Sequence, residues 1–147
     1  MSELEAQRSA GQGPRIVLYS DNRETRELIR AGVGRKLPGQ QAEIEWVEVA
    51  TPEVLVDTAD AGGNDLLILD GEAGKAGGMG MSRQLKDEIY NCPPVLLVIG
   101  RPSDAWLASW SFADTVVSHP IDPLEIRREV AKTLSGERPV VDRAITN

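Results

Sequence analysis

The sequence predicts an α/β fold in which five parallel strands form a doubly wound sheet with helices on both faces. Two observations predict it. Five short apolar runs alternate with five helix-like segments, three of them carrying clear start signals, the pattern that joins parallel strands through right-handed crossovers. The third and fourth runs are also almost continuously apolar, as expected of strands covered on both sides.

The elements follow in order. RIVLYS (15–20) has strand length and β-branched content. Asn22 can cap a helix over NRETRELIRAGVGRKL (22–37), because its side-chain oxygen can accept from the free N–H groups of the first turn. IEWVEV (44–49) is the second strand, with Trp46 expected to be buried. Thr51, followed by Pro52 and Glu53, opens the helix TPEVLVDTADA (51–61). DLLILD (65–70) is the third strand. The connection after it carries Gly74, Gly77, Gly78 and Gly80, and without GxxxxGK[ST] or GxGxxG spacing it reads as a flexible link rather than a phosphate cradle. MGMSRQLKDEIY (79–90) is a weaker helix, PVLLVIG (94–100) the fourth strand, SDAWLASW (103–110) a short helix and TVVSH (115–119) the last strand. Asp122 and Pro123 open DPLEIRREVAKTL (122–134), where Ile126, Val130 and Leu134 recur every four residues as a buried stripe.

At 147 residues the chain suits one core. Residues 1–13 and 136–147 are polar or broken by Gly and Pro and are expected to be disordered tails around a domain at 14–135. A net charge of -7 has the wrong sign for nucleic acid. The lone Cys92 excludes an internal disulfide and reads as a small loop residue. No run approaches the roughly 18 apolar residues of a membrane span, and the start lacks the apolar core of a signal peptide. The expected location is the cytoplasm.

In open α/β sheets, ligands sit beyond the carboxyl ends of the strands. Those ends read Ser20-Asp21-Asn22, Asp70-Gly71-Glu72, Ile99-Gly100-Arg101 and Ser118-His119-Pro120. Asp21, Asp70 and Glu72 could supply hard oxygen ligands to Mg2+, and a cation there would make Asp70 a phosphoryl acceptor. The same acids also suit solvated loops or caps, Asp21 at the start of the first helix. His119, the one histidine, has no Ser or Cys partner arrangement, so an enzyme using nucleophilic catalysis is not expected.

The motifs IVLYSDN, LLILDGE, PVLLVIGRPSD and VVSHPIDP resemble the receiver domain of bacterial two-component response regulators, over residues 14–135. The resemblance implies strand order 2-1-3-4-5 in a flavodoxin-like sheet. It implies phosphorylation of Asp70 by a histidine kinase, a nearby Mg2+ with Asp21 as the second residue of an acidic pair, and a main-chain carbonyl from Glu72. Three positions depart from the family. Ser20 replaces the first acid, Ile99 stands where a Thr or Ser would bond the phosphoryl group, and His119 replaces a Lys before proline, a bond that is cis in the family. Each missing hydrogen bond to a charged group is worth about 1.5–3 kcal/mol, so weak or absent phospho-switching is expected.

Trp106 and Trp110 lie four apart with Phe112 close behind. They either pack into the core or anchor a partner on the surface that the family uses to bind proteins or a second receiver, as in a homodimer. With no output domain expected, the chain is expected to act as a stand-alone, atypical receiver through protein contact. It is similar to orphan actinobacterial receivers found beside genes for the respiratory NADH dehydrogenase, which makes that complex a candidate partner. The alternatives are a conventional phosphorelay receiver and a small flavodoxin-like cofactor binder.

Overall fold

The continuously apolar runs become the middle of the sheet. The computed structural model describes residues 12–74 and 77–136, and the expected tails fall outside them except for residues 12, 13 and 136. Strands β1 (Arg15–Tyr19), β2 (Glu45–Val49), β3 (Leu66–Asp70), β4 (Val95–Ile99) and β5 (Thr115–Ser118) pair in parallel in the order β2-β1-β3-β4-β5. Every residue of β3 and β4 is buried. The register sets Asp70 level with Val98 and Ile99 level with Ser118, so the strand ends open at one mouth.

The edge strand differs from expectation. Glu45 and Glu48 of β2 are exposed and Trp46 is only partly buried, packed against one core face. An edge strand has a neighbour on one side alone, which leaves room for water around a large ring.

Among the described residues five helices cover the sheet: α1 (Arg23–Val33), α2 (Pro52–Asp60), α3 (Gly78–Glu88), α4 (Trp106–Ser111), which follows a 3-10 turn at Pro102–Asp104, and α5 (Pro123–Leu134). Three start as their caps predict. Asn22 accepts from the N–H groups of Glu24 and Thr25, Thr51 from Val54, and Asp122 from Leu124 and Glu125. The first helix was expected to run to Leu37 but stops at Val33. Gly34 takes φ 91° with an extended ψ of -174°, a positive-φ conformation that glycine adopts without the steric cost other residues would bear.

Successive side chains along the strands point to opposite faces. Val17, Tyr19, Leu67, Leu69, Leu97 and Ile99 meet Leu55 of α2 and Met81 and Leu85 of α3. Ile16, Leu18, Ile68, Leu96 and Val98 meet Ile29 and Val33 of α1 and Ile126 and Val130 of α5. Of the predicted α5 stripe, Ile126 and Val130 are fully buried and Leu134 is partly so. Burying each such side chain contributes about 1.5–3 kcal/mol, enough to fix the helices on the sheet.

Polar bonds join α3 to α4 and to the chain after it. Ser82 Oγ donates to the Ser111 carbonyl (2.8 Å) and Arg83 Nη1 to the Trp110 carbonyl (2.9 Å). Asp114 Oδ2 accepts from both Lys86 Nζ (2.7 Å) and the Val95 N–H (2.8 Å). The His119–Pro120 peptide is cis.

The cap and the stripe of α5 differ in kind, and unfolding in urea should separate them. Asp122→Ala is expected to cost about 1 kcal/mol, the loss of the cap that its carboxylate makes to the N–H groups of Leu124 and Glu125. Ile126→Ala is expected to cost about 2–5 kcal/mol, because it leaves a cavity in the core. Equal losses would contradict this account of the helix.

Candidate functional site

Asp70 ends a central strand with 2% of its surface exposed, so its carboxylate must find donors inside the protein. It finds two. Ser20 Oγ–H donates to Asp70 Oδ2 (2.7 Å), and the Glu72 N–H donates to Asp70 Oδ1 (2.9 Å). Ser20 is itself fully buried, and its Oγ accepts from the Asn22 N–H (3.1 Å), which leaves its single proton for Asp70. The Ser20 carbonyl accepts from Arg26 Nη1 (2.7 Å). Arg26 and Arg30 in turn clasp Glu48 at 3.0 and 2.8 Å, tying α1 to the edge strand beside the site.

Asp21 reaches the same mouth by another route. Its Oδ2 accepts from the Gly74 N–H (2.8 Å), so it joins the β1–α1 turn to the loop after Asp70. The helix cap is Asn22, not Asp21. Glu72 turns its carboxylate across to β4, where a Cβ added at Gly100 would collide with it. Close approach also accounts for Gly78 in the expected flexible loop. A Cβ there would lie 2.8 Å from the Asp70 carbonyl, so glycine lets α3 start directly against the strand that carries Asp70.

Ile99 is 1% exposed and belongs to the apolar face with Leu97, offering no donor. The partly buried His119 is tied through its main chain, donating N–H to the Ile99 carbonyl (2.9 Å) and accepting from Ser118 Oγ (3.1 Å). Tyr19 is buried beside the acids. Burial pushes its phenol above the ordinary value of 10.0, and the negative charges of Asp21, Asp70 and Glu53 push the same way.

Among the described residues no three His, Cys, Asp or Glu side chains gather closely enough to hold a metal by themselves. Mg2+ commonly uses one or two carboxylates and keeps several waters.

The aromatic pair does not enter the core. Trp106, Trp110 and Phe112 are 68%, 47% and 46% exposed. Sequence reasoning passed over Arg83, whose guanidinium carbon lies 5.0 Å from the centroid of the Trp110 ring and 4.8 Å from that of Phe112. The spacing of α3 carries no sign of a partner so distant in sequence.

No family model matches the chain. Two response regulatory proteins of Mycobacterium tuberculosis, from strains CDC 1551 / Oshkosh and H37Rv, are each 49% identical to it over 120 residues, covering 82% of this chain and 90% of theirs. The receiver domain of the Francisella response regulator 1452 superposes with a TM-score of 0.70 at 13% identity, covering 84% of this chain and 98% of that one. The Thermotoga maritima response regulator DrrB gives a TM-score of 0.65 at 16% identity, covering 85% of this chain and 54% of that one. This chain therefore spans about half of that longer regulator.

The environment of Tyr19 has a measurable consequence. Because its folded-state pKa lies above 10.0, the proton is held more tightly in the folded protein than in the unfolded chain. The stability linked to it is complete below the unfolded value and is lost as pH rises through the folded one. In Tyr90→Phe protein, where Tyr19 is the remaining tyrosine, tyrosinate absorbance should appear only above the ordinary value. Titration at or below it would contradict the burial described here.

Proposed function

The chain belongs to the response regulators of two-component signalling, and from that premise we propose that it is an atypical receiver that signals by protein contact, with little help from phosphorylation of Asp70. One observation carries the proposal. Both oxygens of Asp70 already accept hydrogen bonds from within the chain, from the Ser20 hydroxyl and the Glu72 N–H. A neutral donor steadies the carboxylate where the family has a second acid that recruits a metal.

Asp21 and Asp70, with the main-chain carbonyl of Glu72, are the residues proposed to hold Mg2+, and weakly. When bound, the ion offsets negative charge on a phosphoryl group approaching Asp70. Ile99 offers such a group no hydrogen bond. His119 offers a shorter and less permanently charged cation than lysine. Each absent bond is worth about 1.5–3 kcal/mol, comparable to the few kcal/mol that separate the states of a conformational switch. A phosphoryl group on Asp70 would therefore shift the balance between two conformations only slightly.

The role proposed is that of a signalling protein in the cytoplasm, not an enzyme. Among the described residues no helix is long and apolar enough to cross a membrane. The partners proposed are proteins: a histidine kinase and, from the resemblance alone, the respiratory NADH dehydrogenase or a second copy of this chain. Trp106, Trp110 and Phe112 supply the contact face.

Incubation with acetyl phosphate and Mg2+ should leave the intact mass nearly unchanged. Rapid, stoichiometric addition of one phosphoryl group at Asp70 would sink the proposal in favour of a conventional phosphorelay receiver. A complementary test restores the missing acid. Ser20→Asp places a second carboxylate against Asp70 in a buried site, and like charges there oppose ionisation. Its melting midpoint should fall in chelator and recover in Mg2+, while that of the unaltered protein barely responds. An equal Mg2+ response in both would show that Ser20 does not weaken the metal site.

A further inference from the structure

Four described cations, Lys36, Arg83, Arg127 and Arg128, form no ion pair with an acid, and of these Arg83 is the one held against aromatic rings. Among the described residues Arg15, Arg23, Arg26, Arg30, Arg35, Lys86, Arg101 and Lys132 all pair with carboxylates. Arg83 forms no such pair there. It is held against the rings of Trp110 and Phe112 and gives one N–H to the Trp110 carbonyl. A guanidinium has five N–H donors in a planar fork. Ring contacts occupy its faces and leave its remaining edge donors for an acceptor.

The surroundings point outward as well. Trp110 and Phe112 are about half exposed and Trp106 is more so, an arrangement that adds little to the stability of the isolated chain. Phe112 takes φ 61°, a left-handed conformation that costs a non-glycine residue free energy and gathers at functional positions. Its N–H still donates to the Ser109 carbonyl (3.3 Å), so the ring is presented just where α4 ends.

We propose that Arg83, set between Trp110 and Phe112 and flanked by Trp106, seats an acidic segment of a partner protein. An Asp or Glu carboxylate bonds the free edge of the guanidinium, and a neighbouring apolar side chain packs on the exposed rings. The assignment deepens the protein-contact reading above and rests on it. Charge complementarity selects the occupant, because a planar, pre-positioned guanidinium matches a carboxylate in two-point geometry. A net charge of -7 disfavours extended polyanions such as nucleic acid, which need many cations and not one.

The test uses the full chain as bait for a random peptide library displayed on phage. Enriched peptides should carry Asp or Glu beside an aromatic or branched apolar residue. The best peptide, made synthetically and followed by tryptophan fluorescence, should weaken about ten-fold or more against Arg83→Gln protein. The same loss should follow when its acid is replaced by the matching amide. Trp106→Ala, a change at a 68% exposed side chain, tests the site without relying on Arg83 for folding and should weaken the peptide too. Enrichment of peptides without acids, or equal affinity for all these forms, overturns the proposal. Self-association of the unaltered chain that Arg83→Gln abolishes, seen by sedimentation, also overturns it by giving the face to a second copy. Asp70→Ala protein distinguishes the two readings. If it loses the peptide while Arg83→Gln also does, the account of Asp70 fails and the acidic-segment site stands.

Discussion

A carboxylate buried at the end of a central strand has to be satisfied by whatever the fold brings to it, and the rest of this site follows from how Asp70 meets that demand. The Ser20 hydroxyl and the Glu72 amide supply its two bonds. The Ser20 bond joins the ends of the neighbouring strands β1 and β3, and the Glu72 bond closes the turn that follows Asp70. Asp21 repeats the link one residue further on through Gly74. Around Asp70 itself the donors are one hydroxyl and one main-chain amide.

This arrangement gives physical meaning to the three departures from the family pattern. A serine donates a hydrogen bond where an acid would add charge, so this oxygen of Asp70 is satisfied from within the chain. Ile99 continues the apolar face shared with Leu97 instead of ending it with a hydroxyl. His119 is fixed through its main chain to Ile99, so the backbone of the β5 end stays close to β4. The frame of a receiver is retained, and the end of β4 carries a buried apolar side chain without a donor.

Much of this was legible in the residues. The unbroken apolar runs of β3 and β4 require cover on both faces, which fixes parallel pairing and places the chemistry at the carboxyl ends. Asn22, Thr51 and Asp122 are local signals, read within a few residues of the bonds they form, and the helices start where they indicate. Signals that depend on distant neighbours were not legible. The partial exposure of Trp46 follows from its edge position, and the turn of the Glu72 carboxylate over Gly100 follows from how two loops approach. The stacking of Arg83 depends on α3 meeting a helix more than twenty residues away in sequence. The end of α1 at Gly34 could have been taken from its glycine, but the apolar residues beyond it, such as Leu37, still pack on the core and mimic a longer helix.

The bonds from Ser82, Arg83 and Lys86 to positions 110, 111 and 114 have a mechanical consequence. They follow one another along α3 like the teeth of a zip and fasten this helix to the chain at the end of α4. Gly78, at the other end of α3, lies against the backbone of Asp70. One helix therefore touches both the exposed aromatic face and the strand end that carries the buried acid.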